Sequence, residues 1–452
     1  MPRTLHHAVA PLYLLMCLVL GGSAQGIWGN MLLQLAGVGI IAWAAAAPRD
    51  EPLPRPARQL LWILIIALAV VAIQLVPLPA SLWPHLGGRQ EIAEGYRLLG
   101  LATPALPLSL APYETLATLL TLIPPIALFC AIVPLKAYRR TWLALALLAG
   151  TLAGILLGAL QVTGPASEAS PWYLYPYSSW GSATGFFANA NHMATLLVIS
   201  LPFLAALLAM ARGANMQRYS AAVALVGGAA LVILVGLALN GSLAGYGLAV
   251  PVIVASALVV IPARSSATRW IALGAGILLL CSVVVLASRP VGEEGLGTAT
   301  SVQSRAEIAA STAKAIGDFL PFGSGVGTFR AVYRLYEDHA GTETATIPHV
   351  HNDYLELALE TGFAGMIVLA SFLAWWAASV WRVWRFGNVG PYARAASIAS
   401  AAILVHSLVD FPLRTAAISS CFAMCLALLV VRQGPRASEP SDLWPTRHVG
   451  LK

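Results

Sequence analysis

Long apolar runs recur along this chain from end to end, separated by short polar connections and two longer polar stretches. Continuous runs of this length predict membrane-spanning helices, because a hydrocarbon core about 30 Å thick needs about 20 residues at helical rise. The pattern predicts about twelve spans, at 8–22, 27–47, 60–77, 113–134, 141–162, 190–211, 219–239, 242–262, 270–288, 361–381, 394–410 and 414–431. The alternating pattern of a membrane β-barrel is missing. The first run ends in Gly-Gly-Ser-Ala-Gln, as a signal peptide can, but eleven runs follow it, so it reads as an uncleaved first span. The predicted fold class is all-α, a polytopic transmembrane helical bundle. Its expected divisions are 1–288 with spans 1–9, 289–360 as a large outer loop, and 361–452 with spans 10–12 and a tail.

Within the large loop, residues 304–317 predict an amphipathic helix with Ile308, Thr312 and Ile316 on one face, ended by Pro321. A glycine turn follows, Gly323-Ser324-Gly325-Val326-Gly327-Thr328, and then a second helix from about 329 to 338. Glycines ahead of a helix can present backbone N–H groups to an anion. Arg330 and Arg334, four apart, share one face of that helix, and Phe329, Val332, Tyr333 and Tyr336 cover the other. With Arg305, the loop can offer three guanidiniums to a phosphate or pyrophosphate. Three solvated charges are the plain alternative.

Composition sharpens the membrane reading. Hydrophobic residues make up 58% of the 452 and charged ones 10%, with a mean hydropathy of +0.77, against about 25% charged in a soluble domain. The net charge of +7 is a topology signal rather than a nucleic-acid footprint. Eighteen of the 26 Lys and Arg fall on one side of the predicted bundle if both termini are cytoplasmic, and seven of the other eight lie in the loops 78–112 and 289–360. All five cysteines lie in apolar runs and no CxxC occurs, which argues against a disulfide framework or a zinc ribbon. No soluble domain, P-loop or repeat is visible.

Against this apolar background, Pro348-His349-Val350-His351-Asn352-Asp353-Tyr354-Leu355-Glu356 stands out, just before the span at 361–381. Three readings are open for its histidines. One is a general base, since imidazole accepts a hydroxyl proton near neutral pH. A second is a zinc site, which needs His339 or Asp353 as a third ligand. The third is a helix cap. A second polar group, Asn189, Asn191 and His192, opens the span at 190–211; one asparagine can be a cap, but three polar groups entering a membrane face protein or a watery cavity. The preceding loop, 164–189, has no Lys or Arg and carries Trp172, Tyr173, Tyr175, Tyr177 and Trp180. It is either an interfacial aromatic belt or a platform for sugar rings or a lipid carrier. His406-Ser-Leu-Val-Asp410 is a possible proton site, which would suit a polytopic transporter. A non-catalytic scaffold is the third class.

Three stretches together resemble one known family. They are Gly185-Phe-Phe-Ala-Asn-Ala-Asn-His-Met-Ala, Pro321-Phe-Gly-Ser-Gly-Val-Gly-Thr-Phe329 and His351-Asn-Asp-Tyr-Leu-Glu-Leu-Ala-Leu-Glu-Thr-Gly362. Their order, and the long outer loop before the last spans, are similar to the O-antigen ligase and O-antigen polymerase superfamily, over roughly residues 110–430. The resemblance implies a GT-C-like glycosyltransferase in the bacterial inner membrane, with both termini cytoplasmic and a periplasmic loop and active site. Its donor would be a glycan on undecaprenyl pyrophosphate. Its acceptor would be another glycan, lipid A–core or, in some branches, a protein. Membrane lipids are implied as surroundings; no metal, nucleotide sugar or nucleic acid is. The family's loop histidine maps onto His351, as base on the acceptor hydroxyl, with Asn352 or Asp353 expected to orient its ring and His349 as a neighbour. The family's loop arginine maps onto Arg305, at the leaving pyrophosphate. Asn189, Asn191, His192, His349, Asn352, Asp353, Arg330 and Arg334 are the expected substrate-binding residues. Leu243 stands where many ligases carry a further arginine, a charge that Arg330 or Arg334 is placed to supply.

Overall fold

The computed structural model describes residues 3–48, 51–213, 215–261, 266–288, 296–336, 349–385 and 390–431. Its helices are α1 (Arg3–Leu20), α2 (Ile27–Ala46), α3 (Arg55–Gln74), α4 (Gln90–Leu98), α5 (Pro112–Thr121), α6 (Ile123–Ile132), α7 (Arg140–Thr163) and α8 (Ala190–Ala211), followed by α9 (Met216–Asn240), α10 (Leu243–Val260), α11 (Ser266–Ser288), α12 (Leu296–Phe319), α13 (Phe329–Tyr336), α14 (Asp353–Arg385), α15 (Pro391–His406) and α16 (Ala416–Val430). Strand is confined, among the described residues, to Pro77–Leu78 paired antiparallel with Leu106–Pro107. The chain is all-α, as its apolar periodicity predicts.

Each of the twelve predicted spans falls on helix. Among the described residues, eight spans are long and apolar enough to cross a membrane, and three shorter apolar helices accompany them. The run at 113–134 is two helices, α5 and α6, because Pro124 and Pro125 lack the N–H groups that would continue α5. The centre of the bundle is α15, packed on α8, α10 and α16. Its buried residues include the small Ala393, Ala395, Ala396, Ser397, Ala399, Ser400 and Ala402, which let backbones approach closely where no water drives association. Helices α3 and α9 are peripheral, with exposed Ile65, Ile66, Leu225 and Leu231, the outward-facing apolar surface that lipid would cover.

The polar segments gather at one pole. The helix ends at the other pole carry the basic residues Arg55, Arg58, Arg140, Arg212, Arg218, Arg385 and Arg394. At the first pole, α12 and α13 lie over the start of α14 through Ile308, Ala315, Phe319, Phe329, Val332, Val350 and Leu359. Helix α12 begins earlier than the amphipathic stretch at 304–317, while α13 closes near its predicted end. Gln74, the last residue of α3, ties this layer down: its Nε2 donates to the Glu360 carbonyl at 2.9 Å, and its Oε1 accepts from Val326 N–H at 3.0 Å. Arg89, a loop charge by sequence, is fully buried. It donates to the carbonyls of Gly87, Leu108 and Gly323 between the rings of Trp83 and Phe319, and burial lowers its pKa to about 10.

Candidate active site

The last two residues of α15's outgoing turn hold the key contacts. Asp410 is buried, and its Oδ1 accepts from His351 Nδ1 at 3.1 Å and from the backbone N–H of Phe411 at 3.0 Å. Burial alone would push the Asp410 carboxyl up; the hydrogen bond from His351 and the neighbouring imidazoles outweigh it and hold the carboxyl below the usual range. An ionised carboxylate only accepts, so Nδ1 of His351 carries the proton and Nε2 is left with its lone pair. The His351 side chain keeps 23% of its surface exposed, and its backbone is left-handed, φ +59°. For a non-glycine residue that conformation is strained, and such strain gathers at functional positions.

Phe411 is ringed by imidazoles. Its centroid lies 4.4 Å from His349, 5.0 Å from His351 and 5.0 Å from His192. His192 is buried at the start of α8, and its Nε2 has no hydrogen-bond partner among the described residues. His349 turns away from His351, its Nδ1 donating to Glu356 Oε1 at 2.8 Å. The two histidines thus engage different carboxylates. Of the third ligands considered for zinc, His339 lies outside the described residues, and Asp353 is turned to Ser407 and Arg414.

Asn352 and Asp353 do not orient the His351 ring. Asn352 caps α14, its Oδ1 accepting from Tyr354 N–H and Leu355 N–H at 3.0 and 3.1 Å, while its amide donates to the Leu408 carbonyl. Asp353 accepts from Ser407 Oγ at 2.8 Å and faces Arg414 Nε at 3.4 Å. Arg414 also meets Glu356 Oε1 at 3.2 Å and Glu360 Oε2 at 3.4 Å. One guanidinium therefore holds three carboxylates along the first two turns of α14, beneath the histidines.

The glycine turn holds an anion, but one from the chain itself. Gly327 N–H donates to Glu360 Oε1 at 2.8 Å, and Phe329 N–H lies at 3.5 Å. Glu360 reaches the turn because α14 is kinked at Gly362 (φ +56°, ψ −149°). There a Cβ would stand 2.2 Å from the Pro321 carbonyl oxygen, so only glycine fits. The turn is a structural clasp rather than an open nest.

At α8, Asn189 is the N-cap, its Oδ1 accepting from Asn191 N–H at 2.8 Å. The Asn191 Oδ1 accepts from Ser242 Oγ at 2.7 Å, joining α8 to the start of α10, where Leu243 is the first helical residue. Arg330 and Arg334 are exposed on α13 and have no ion-pair partner among the described residues. Arg305 lies on α12, but its side chain falls outside the described residues. The structure therefore brings His351, His349 and His192 together. It adds Asp410, Phe411, Glu356, Glu360 and Arg414, which the sequence reading did not select for the site. Asp410 carried a signal as a polar group at the end of an apolar run, and Glu356 and Glu360 stood in the stretches singled out around His351. Asp410 serves His351, so it is not an isolated proton site of the transporter kind.

A family model described as O-antigen ligase matches residues 197–370. That match supports the O-antigen ligase and polymerase superfamily. The matched stretch runs from α8 into α14 and contains Arg305, Arg330, Arg334, His349 and His351, while Asp410 and Arg414 lie beyond it. No curated protein matches the chain. The apolar helices, together with the match, indicate an integral membrane protein.

Proposed function

We propose that the protein is a membrane glycosyltransferase that moves a glycan from undecaprenyl pyrophosphate to a sugar hydroxyl, as a polysaccharide polymerase or O-antigen ligase. The observation that carries this reading is the His351–Asp410 pair: a partly exposed imidazole whose proton-bearing nitrogen is fixed by a buried carboxylate. His351 Nε2 takes the proton of the acceptor hydroxyl as its oxygen attacks the anomeric carbon. The bond from that carbon to the pyrophosphate oxygen breaks, and its electron pair leaves with the undecaprenyl pyrophosphate. Arg305, on α12, is assigned to the departing charge, with Arg330 and Arg334 as further cations; a lost donor of this kind costs about 3–4 kcal/mol of barrier. Asn189, Asn191, His192, His349, Asn352 and Asp353 are assigned to substrate binding.

The pole opposite the site bears the basic helix ends, which supports a bacterial inner-membrane orientation with both termini cytoplasmic and the site periplasmic. On this reading the stretch 289–360 is the periplasmic loop, and the spans lie on either side of it. The test is transfer from purified undecaprenyl-pyrophosphate glycan in detergent containing EDTA. Wild-type activity that persists in EDTA and disappears in His351→Ala supports the reading. Full activity in His351→Ala removes the base, and EDTA-sensitive activity restored by zinc replaces it with a metal.

A further inference from the structure

The loop 164–189 connects α7 to α8 at the same pole as the histidines, and its construction is unusual for a surface connection. Gln161, buried near the end of α7, holds it from within. The Gln161 Nε2 donates to the carbonyls of Trp172 and Gly185 at 3.1 and 2.9 Å, and its Oε1 accepts the N–H groups of Thr184 and Gly185. Tyr173 and Tyr175 are buried; the Tyr173 hydroxyl donates to the Ser182 carbonyl and accepts from Gly181 N–H. Gln25 clamps the backbone of Tyr177, donating to its carbonyl at 2.9 Å and accepting its N–H at 3.1 Å.

With the backbone fixed this way, the remaining rings are held outward. Tyr177 is 79% exposed, and Trp172 and Trp180 are each 40% exposed. The loop carries no Lys or Arg and a single acidic residue, Glu168. It is also joined directly to the site. Ser179, beside Trp180, accepts the Ala190 N–H on its hydroxyl at 3.2 Å and donates its own N–H to Ala188. Two residues further on, His192 packs on Phe411, which packs on His351.

We propose that Tyr177 and Trp180, with Trp172 beside them, form a carbohydrate-stacking platform that seats the acceptor glycan next to His351. This rests on the glycan-transfer reading of the same site and names the residues that select its acceptor. Pyranose rings present C–H faces that pack on aromatic rings, and their hydroxyls need no counter-charge, which suits an almost uncharged loop. A rigid aromatic surface also orders little on binding, so more of each contact appears as affinity. An interfacial belt, the other use of exposed aromatics, needs neither a clamped backbone nor a link to the catalytic histidine.

The test uses the full-length protein in nanodiscs, with undecaprenyl-pyrophosphate glycan as donor and rough lipopolysaccharide as acceptor. Tyr177→Ala and Trp180→Ala are each expected to raise the acceptor KM about tenfold, the loss of about 1.4 kcal/mol per ring. The kcat and donor KM should stay unchanged, and Tyr177→Phe and Trp180→Phe should retain most of the affinity. An unchanged acceptor KM in both alanine variants overturns the platform. A rise in donor KM instead assigns the rings to the lipid carrier, and likewise overturns it. A binding arm separates this proposal from the reading it rests on. Saturation-transfer NMR with deacylated core oligosaccharide should show contact that both alanine variants lose. If the wild type binds the oligosaccharide this way but transfers nothing, glycan transfer fails and the platform stands. If no contact appears, and brominated phospholipids quench Trp180, the rings are a membrane belt and the proposal fails.

Discussion

His351 and Asp410, 59 positions apart, meet because α15 and the turn after it return the carboxylate to the mouth of α14, where Nδ1 and Oδ1 lie 3.1 Å apart. The pairing decides which nitrogen of His351 can act. Asp410→Asn keeps the shape but presents an amide that can donate to Nδ1 and so move the proton to Nε2. Transfer should fall by about 10²–10⁴, the usual contribution of a positioned general base, with acceptor and donor KM little changed. A variant with wild-type kcat would show that His351 needs no such orientation.

The same carboxyl has a consequence for acid stability. Its folded-state pKa is depressed, so the stabilisation it gives is present above the ordinary Asp range near about 3.9 and is lost as pH falls through the depressed value. Wild type should therefore melt above Asp410→Asn at pH 7, and the gap should shrink once the pH drops below about 4. Thermal unfolding in detergent across that range measures it. A gap that widens below about pH 4 contradicts the assignment.

Arg414 should be the most costly charge to remove at this pole. It faces Asp353, Glu356 and Glu360 together, and Glu356 and Glu360 are buried. Breaking a buried ion pair by deleting one partner costs about 3–5 kcal/mol, because the remaining charge is left unpaired. Arg414→Ala is expected to lose thermal stability on that scale and to release the glycine turn, since Glu360 no longer has its counter-ion. Arg414→Lys should recover only part, as one ammonium cannot span three carboxylates. A melting temperature equal to wild type in Arg414→Ala would contradict the clasp.

Gly362→Ala probes the kink itself. The added Cβ would meet the Pro321 carbonyl oxygen at 2.2 Å in a left-handed backbone, so α14 must shift and carry Glu360 away from Gly327. Transfer should be lost while helical content by circular dichroism stays near wild type. Gly39→Ala, where nothing lies near the Cβ, is the matched control and should behave as wild type. Equal activity in the two variants would mean that the kink does not position the site.

What the sequence made legible follows from what each signal needs. The spans needed only a run of apolar residues, and all twelve fall on helix. His349 and His351 were visible because they are polar in an apolar chain. Asp410 was visible as a polar residue at a span end, but its pairing with His351 was not, because their meeting depends on how α15 and the turn after it return to the mouth of α14. Arg89, counted only among the basic residues of the loop 78–112, is buried, since its partners are backbone carbonyls that have no sequence signature. The glycine turn read as an open anion site. That reading missed Glu360, which meets the turn beside the bend at Gly362, two residues further on, a bend invisible without a backbone path.

Arg305 and the α13 arginines separate two uses of positive charge. Arg330 and Arg334 are exposed, without ion-pair partners among the described residues, so their effect on an anionic donor should be long-range and screened by salt. Arg330→Ala and Arg334→Ala are expected to raise the donor KM a few-fold at low ionic strength, with the difference fading at about 0.5 M salt and kcat unchanged. Arg305 is assigned to the pyrophosphate itself, where two parallel N–H bonds fit and one point charge does not. Arg305→Lys should then lower kcat sharply, by an amount that salt does not alter. A salt-sensitive KM effect in Arg305→Lys, matching the other two, would reduce it to the same general field and leave the leaving group without an assigned donor.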